Sequence, residues 1–224
     1  PASTLARIAE HVFLVHAGRE QSVAATKTYT GQLLMLYLLA YALGANIALD
    51  DLARVPDYAS RALALEPEIV RRAERYRFMD HAVVIGRGLN YANAFEFALK
   101  LMETCYVVAE RFSSADLLHG PIAMVEASFP AFLFAPQGVT WPGLRATLEK
   151  LVELKAEMLL ISDPANRGAL AFGDRVIALS VGIAELFTPI PYIIPAQLFA
   201  ASLAAHKGLN PDEPRTLSKI TRTL

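Results

Sequence analysis

The stretch AVVIGRGLNYANAFEFALKLMETC, residues 82–105, decides the fold. Its first five residues form a short apolar run, rich in β-branched side chains and ending in glycine, which is typical of a buried parallel strand. Apolar residues then recur at helical spacing through residues 94–102, which predicts a helix. A strand, a glycine turn and a helix in this order begin a βαβ unit.

Further strands follow on the carboxyl side of this unit. The runs YVVAE, AFLFAP, EMLLIS and RVIALS are each short, apolar and separated by helical or turn segments. The alternation predicts an α/β fold, a doubly wound five-stranded parallel sheet flanked by helices. A long apolar helix, started by prolines and ended by Gly208, is predicted after the last strand.

The beginning of the chain differs in kind. HVFLVHAGRE, residues 11–20, predicts one strand, and residues 24–44 predict one long helix. One strand and one helix cannot close a sheet, because the strand would keep bare edges. We therefore expect residues 1–48 to be the tail end of a second, incomplete domain. Residues 49–78 are then a helical connector, residues 79–208 a complete domain, and residues 209–224 a polar tail.

Composition and charge exclude several partners. Apolar residues make up 54% and charged residues 19%, so a sizeable core can form. The formal net charge is −1, which favours neither nucleic acid nor a membrane surface as a partner, and we expect a small metabolite instead. Cys105 is the single cysteine, which indicates a reducing compartment, and we expect a cytoplasmic protein.

Three charged residues share one stripe of the helix after the first strand. Glu96, Lys100 and Glu103 lie at positions i, i+4 and i+7. An exposed salt-bridge ladder would explain this spacing. The neighbouring positions are apolar nearly all round, however, and charges on a largely buried helix need partners or a cavity. The pattern therefore also fits a proton-transfer site, which we expect at the carboxyl ends of the strands.

Two other sites carry weaker signals. The GRG turn of residues 86–88 could hold an anion, although a GxG at a strand–helix turn is commonly a tight-turn requirement. His119, in the turn HGP, is by itself more typical of a structural histidine, but loops at the carboxyl end of a sheet form the crevice of such folds. Lys219 by itself fits a solvated tail.

Three motifs together resemble a known family. EQSVAATKTYTGQL, the segment from IGRGLN to LLHGP, and GLNPDEPRTLSKIT are similar, in this order, to segments of sugar isomerase (SIS) domain proteins. The resemblance covers nearly the whole chain. It implies that residues 79–208 are a second SIS domain, that residues 1–48 are the remnant of a first, and that residues 209–224 form an active-site tail.

The resemblance also implies roles for individual residues. Glu103 matches the glutamate that moves a proton between C1 and C2 of an open-chain sugar. His119 matches the histidine linked to ring opening, which in the family comes from the neighbouring subunit of a homodimer. Lys219 matches the lysine of the segment that closes over the sugar. Lys100 matches a further catalytic position of the same pocket. The remaining matched positions are expected to bind the substrate there: Glu96, Val23, Glu20 and Ser218.

The implied activity is that of an amino-sugar-phosphate isomerase or deaminase, with a glucosamine-6-phosphate deaminase as the main expectation. The isomerase part of glucosamine-6-phosphate synthase, a fructosamine-type deglycase and a non-catalytic sugar-phosphate-binding module are alternatives. We expect no metal or organic cofactor, because the carbonyl of the substrate is the electron sink. Loops that hold the sugar phosphate in the first SIS domain are not in this chain, so we expect a fragment with weak activity alone.

Overall fold

The computed structural model describes residues 3–219. Within that range the strands are β1 (His81–Gly86), β2 (Val108–Ser113), β3 (Pro130–Phe134), β4 (Glu157–Ser162) and β5 (Val176–Ala178). The α-helices of the same range are α1 (Thr4–Ile8), α2 (Lys27–Ala42), α3 (Leu49–Leu52), α4 (Val55–Leu63), α5 (Glu66–Glu74), α6 (Asn90–Cys105), α7 (Ser114–Leu118), α8 (Trp141–Glu153), α9 (Arg167–Leu170) and α10 (Pro189–His206). Short 3-10 turns lie at Pro121–Met124, Gly173–Arg175 and Glu185–Phe187.

The described strands form one sheet in the order β2-β1-β3-β4-β5, and every neighbouring pair is parallel. This order is that of a doubly wound α/β fold, in which the chain leaves β1 first to one side and then to the other. The predicted sheet is therefore confirmed. β2 is an edge strand, and its register pairs His81 with Val108 and Gly86 with Ser113.

Each face of the sheet buries an apolar layer under helices. One layer joins α4, α5, α6 and α10, and the other joins α7, α8 and α9. The first layer is centred on Tyr76, Phe97, Phe132 and Phe199, whose ring centroids are 5.1–5.9 Å apart and mostly edge-on. The helices of the predicted connector are part of this core, since α4 and α5 pack against α10. The domain boundaries given above remain predictions.

The glycines of the GRG turn have a packing role. A Cβ on Gly86 would lie 2.2 Å from the carbonyl oxygen of Asn90, and Gly88 has a φ of +57°. Both positions therefore need glycine so that α6 can start directly above β1. Asn90 then donates 2.8 Å to the hydroxyl of Thr188, which joins the start of α6 to the residue before α10.

The C-terminal end of α6 lies at the amino ends of the strands, opposite to the end of the sheet where the helix begins. α6 runs back against the direction of the strands and ends at Cys105, and the next residue, Tyr106, has left-handed backbone angles (φ 56°, ψ 33°). The amide of Val108 then donates 2.9 Å to the carbonyl of Asp80, immediately before β1. The last turn of α6 is therefore at the amino ends of the strands.

The beginning of the chain departs from the prediction. Residues 11–20, expected to be a strand, have no regular structure and pair with no strand of the described residues. Positive φ values at His16 (51°) and Gly18 (69°) interrupt an extended path. The predicted helix is confirmed as α2, but none of its residues is buried. No helix in residues 3–219 has the length and hydropathy needed to cross a bilayer.

Candidate functional site

α6 carries a chain of three charges along one flank. Lys100 Nζ lies 2.6 Å from Glu103 Oε2 and 3.8 Å from Glu96 Oε1. The side chains of Lys100 and Glu96 are 5% and 9% exposed, whereas that of Glu103 is 25% exposed. The predicted stripe is therefore a nearly buried cluster rather than a surface ladder. Glu103 is the member with most access to solvent.

A neutral amide from another helix completes the cluster. Gln197 on α10 donates 3.2 Å to Glu96 Oε1 and lies 3.4 Å from the carbonyl of Thr26. Burial raises the pKa of Glu96 from 4.5 to about 7, and the charges of Glu103 and Glu20 add to that effect. Lys100 and Gln197 act in the opposite direction. Glu96 therefore changes charge near neutral pH.

The segment before α2 forms one wall of the site. Glu20 accepts hydrogen bonds from the backbone amides of Thr28 (3.1 Å) and Thr26 (3.4 Å), which belong to the start of α2. Burial pushes the pKa of Glu20 upward, but the hydrogen bonds from Thr28 and Thr26 outweigh it, so this pKa lies below its usual value. The ionised form of Glu20 is therefore favoured, and its hydrogen bonds fix the loop that carries Val23.

The C-terminal segment forms the opposite wall. Val23 donates its amide 3.0 Å to the carbonyl of Asp212, and the hydroxyl of Ser22 donates to the carboxylate of the same residue. Lys219 donates to the carbonyl of Ser22, and the neighbouring Ser218 is exposed. The predicted tail residues are thus brought to the predicted binding loop. Residues 220–224 of that tail lie outside the described residues.

A second contact fixes the segment nearer to Glu103. The amide of Arg215 donates 2.7 Å to the hydroxyl oxygen of Tyr106, and its guanidinium lies 4.0 Å above the ring of Tyr106. A cavity of about 250 Å³ between this segment and the end of α6 is lined by Glu103, Tyr106 and Thr216, among others. A smaller cavity of about 80 Å³ adjoins Lys100 and Gln197. Polar groups therefore converge on space beside the charge cluster.

The location of this cluster corrects one expectation. Glu103 is thirteen residues beyond Asn90, which places it about 20 Å along the helix axis from the carboxyl edge of the sheet. The carboxylates therefore do not gather at the strand carboxyl ends, as the sequence had suggested. The reason is the antiparallel return of α6, which carries its final turn to the amino ends.

His119 lies at the other end of the sheet. It is the exposed residue that ends α7, the short helix directly after the carboxyl end of β2. β2 spans six residues, which is about 20 Å of extended chain. His119 and Glu103 of one chain are therefore not brought together, whereas Glu96, Lys100, Glu103, Glu20, Val23 and Lys219 are.

Sequence reasoning missed the residues that connect these elements. Gln197, Asp212 and Tyr106 were not predicted as site residues. A signal existed for Gln197, because it is a lone amide within an otherwise apolar helix. In residues 3–219, no group of three or more His, Cys, Asp or Glu side chains has the arrangement of a metal site.

Comparisons with known proteins extend these observations. The model of the SIS domain family matches residues 77–207. A glutamine–fructose-6-phosphate aminotransferase (isomerizing) of Methanothermobacter thermautotrophicus is 34% identical over 97% of this chain. The chain spans 37% of that relative's length.

Two solved structures are similar in fold. The C-terminal domain of glucosamine-fructose-6-phosphate aminotransferase from Francisella tularensis superposes with a TM-score of 0.84, at 29% identity, over 95% of this chain and 62% of that one. A glucosamine-6-phosphate deaminase from Thermotoga maritima gives a TM-score of 0.66 at 23% identity, over 90% and 58%. At that identity the deaminase shows a shared fold alone.

Proposed function

The chain belongs to the SIS domain family, and from that premise we propose that it is the isomerase part of a glutamine–fructose-6-phosphate aminotransferase. Its reaction would interconvert ketose and aldose forms of a hexose or hexosamine 6-phosphate. The observation that carries the proposal is the cluster of Glu96, Lys100 and Glu103, closed by the C-terminal segment.

The chemistry of this reaction suits the cluster. Passing through an enediol requires one base that serves both C1 and C2, and a cation near the oxygen that gains charge. Glu103 is assigned as the base, because it is the most exposed of the three charges and lines the cavity beside the C-terminal segment. Lys100, 2.6 Å away, is the nearest cation and is assigned to the oxygen.

Two further assignments follow from position. Lys219 is placed at the loop of Val23, where its ammonium group can reach a sugar carbonyl after release from Ser22. His119 lies at the carboxyl ends of the strands and Glu103 near their amino ends. A role for His119 in ring opening at the site of Glu103 therefore requires a second copy of the chain. We therefore propose a homodimer in which each His119 serves the partner's site.

The deaminase that the sequence suggested first is the second candidate. Its support is the pattern of the closing segment PRTLSKIT, whereas the aminotransferase relatives favour the isomerase part of a synthase. Both reactions use the same proton transfer at C1 and C2. They differ in whether ammonia leaves C2, which makes ammonia the product that separates them.

The test uses both the 224-residue chain and the complete product of its gene. Each is incubated with fructose 6-phosphate or glucosamine 6-phosphate in D2O, and NMR follows deuterium entry at C1 and C2 while a coupled assay follows ammonia. We expect aldose–ketose conversion and C–H exchange from the complete product. Ammonia release from glucosamine 6-phosphate, with fructose 6-phosphate as the other product and no conversion of added fructose 6-phosphate to an aldose, would favour the deaminase instead.

A pair of variants tests the base. Glu103→Gln should lower the exchange rate by about 10²–10⁴-fold and retain sugar binding. Glu153→Gln is the matched control, since Lys150 and Glu153 form an i,i+3 pair of 2.8 Å on the exposed face of α8. Exchange that survives Glu103→Gln unchanged would remove Glu103 from this role.

A further inference from the structure

Gln197 is an unusual side chain for its helix. The neighbours of Gln197 on α10 are almost all apolar, and Pro195, Ala196, Phe199 and Ala200 are buried. Its amide points away from that core, toward α6 and the loop before α2, and it lines the small cavity beside Lys100. One side chain therefore touches three separate parts of the site.

Most of the charged groups around Glu96 do not stabilise its negative charge, so the amide of Gln197 matters. On α6, the helix that carries Glu96, Lys100 lies closer to Glu103 (2.6 Å) than to Glu96 (3.8 Å). The negative charges of Glu20, before α2, and Glu103, on α6, both oppose a negative charge on Glu96. Tyr29, on α2, has its pKa raised by burial and faces Glu96 as a neutral phenol. Arg111 of β2 lines the groove on the outer side of Glu96 and is directed at the ring of Phe95.

The remaining short contact to Glu96 in residues 3–219 is the hydrogen bond from Gln197. The same Nε2 also donates to the carbonyl of Thr26, so one N–H is anchored there while the other is directed at the carboxylate. Without Gln197, Glu96 would face other negative groups with a single cation 3.8 Å away. That carboxylate would then take up a proton, and Lys100 would turn entirely to Glu103.

We propose that Gln197 is a positioning residue, which keeps Glu96 ionised as the second anionic partner of Lys100 at and above neutral pH and so leaves Glu103 free to take a proton from the sugar. The proposal rests on the proposed function for its catalytic consequence. Its structural part, the control of Glu96 by Gln197, stands independently of any substrate.

The first experiment needs no activity. Side-chain carboxyl carbons of the ¹³C-labelled 224-residue chain are titrated by NMR in the wild type, in Gln197→Leu and in Ser202→Ala. Ser202 is on the same helix and donates 2.7 Å to the carbonyl of Leu198, away from the site. We expect the midpoint of Glu96 to move up by about one pH unit in Gln197→Leu and to stay fixed in Ser202→Ala.

The second experiment uses the complete product of the gene. The acid limb of kcat/KM should move up by about one pH unit in Gln197→Leu, roughly a tenfold loss of rate at the pH of that limb. In a Glu96→Gln background, adding Gln197→Leu should leave the acid limb of kcat/KM unmoved, because the carboxylate that Gln197 contacts no longer titrates.

The outcomes separate the two hypotheses. An unmoved Glu96 midpoint in Gln197→Leu overturns the inference, and so does an equal loss of rate at every pH in both backgrounds, which marks a merely structural role. If the midpoint moves while the complete product converts no sugar phosphate, the proposed function fails and the positioning of Glu96 stands.

Discussion

Replacing Glu96 by glutamine should make the fold less sensitive to alkaline pH. Glu96 is 8% exposed, and burial raises its pKa from 4.5 to about 7. The folded chain therefore holds a proton on Glu96 between these two values, where the unfolded chain has lost it. The contribution of protonated Glu96 to the free energy of unfolding is fully present below about pH 4.5 and is lost as the pH rises through about 7.

The magnitude follows from the same values. One pKa unit corresponds to about 1.4 kcal/mol, so a rise from 4.5 to about 7 costs the wild type roughly 3 kcal/mol of unfolding free energy between pH 4.5 and pH 8. Glutamine has nearly the same shape and no charge to bury. It should remove this loss while the contact between Lys100 and Glu103 remains.

The measurement is urea denaturation at pH 5 and at pH 8 for the wild type and Glu96→Gln. Other titrating groups are common to both proteins and cancel in the double difference, which we expect to be about 2–3 kcal/mol after the partial loss already present at pH 5. Glu149→Gln is the control, because Arg145 and Glu149 form an i,i+4 pair of 2.9 Å that is more than half exposed. A double difference for Glu96→Gln as small as that of the control would refute the reasoning.

Three further predictions concern the scaffold around the site. Phe97→Ala should destabilise the fold by about 3–5 kcal/mol in chemical denaturation, because a 1% exposed ring at the centre of the aromatic cluster is lost. Tyr106→Ala should speed proteolysis of residues 209–219 while changing global stability little, since the ring holds Arg215 by a cation–π contact of about 0.5–1 kcal/mol; an unchanged cleavage rate would contradict this. Tyr192→Phe should lower the thermal midpoint by an amount equivalent to about 1–3 kcal/mol, because the hydroxyl donates 2.7 Å to the fully buried Asp163; an unchanged midpoint would show that another donor replaces it.

Local sequence patterns were sufficient for the scaffold. The apolar run that ends in glycine and the helical period after it fixed β1 and α6, and the same argument located the other four strands of the sheet. The spacing of Glu96, Lys100 and Glu103 likewise predicted their contact, because residues three and four apart share one face of a helix. These features depend on residues close together in the chain, so a sequence window contains their cause.

Residues 11–20 show where such patterns fail. The segment was predicted to be a strand, but a strand exists only when another strand pairs with it, and none of the described residues does so. The segment lies instead before a loop that Asp212 holds from 189 positions away, at Val23. No local signal carries that information.

The sequence by itself determined the family, the parallel sheet and the three charges on α6. Only the tertiary structure decided which end of the sheet those charges occupy, because that depends on the antiparallel return of α6 over β1. The tertiary structure also decided that Gln197, 101 positions away in the chain, reaches Glu96. It likewise decided that His119 lies at the end of the sheet opposite to Glu103. Burial and hydrogen bonding across distant segments set the charge of Glu96, and both arise only when the chain is folded.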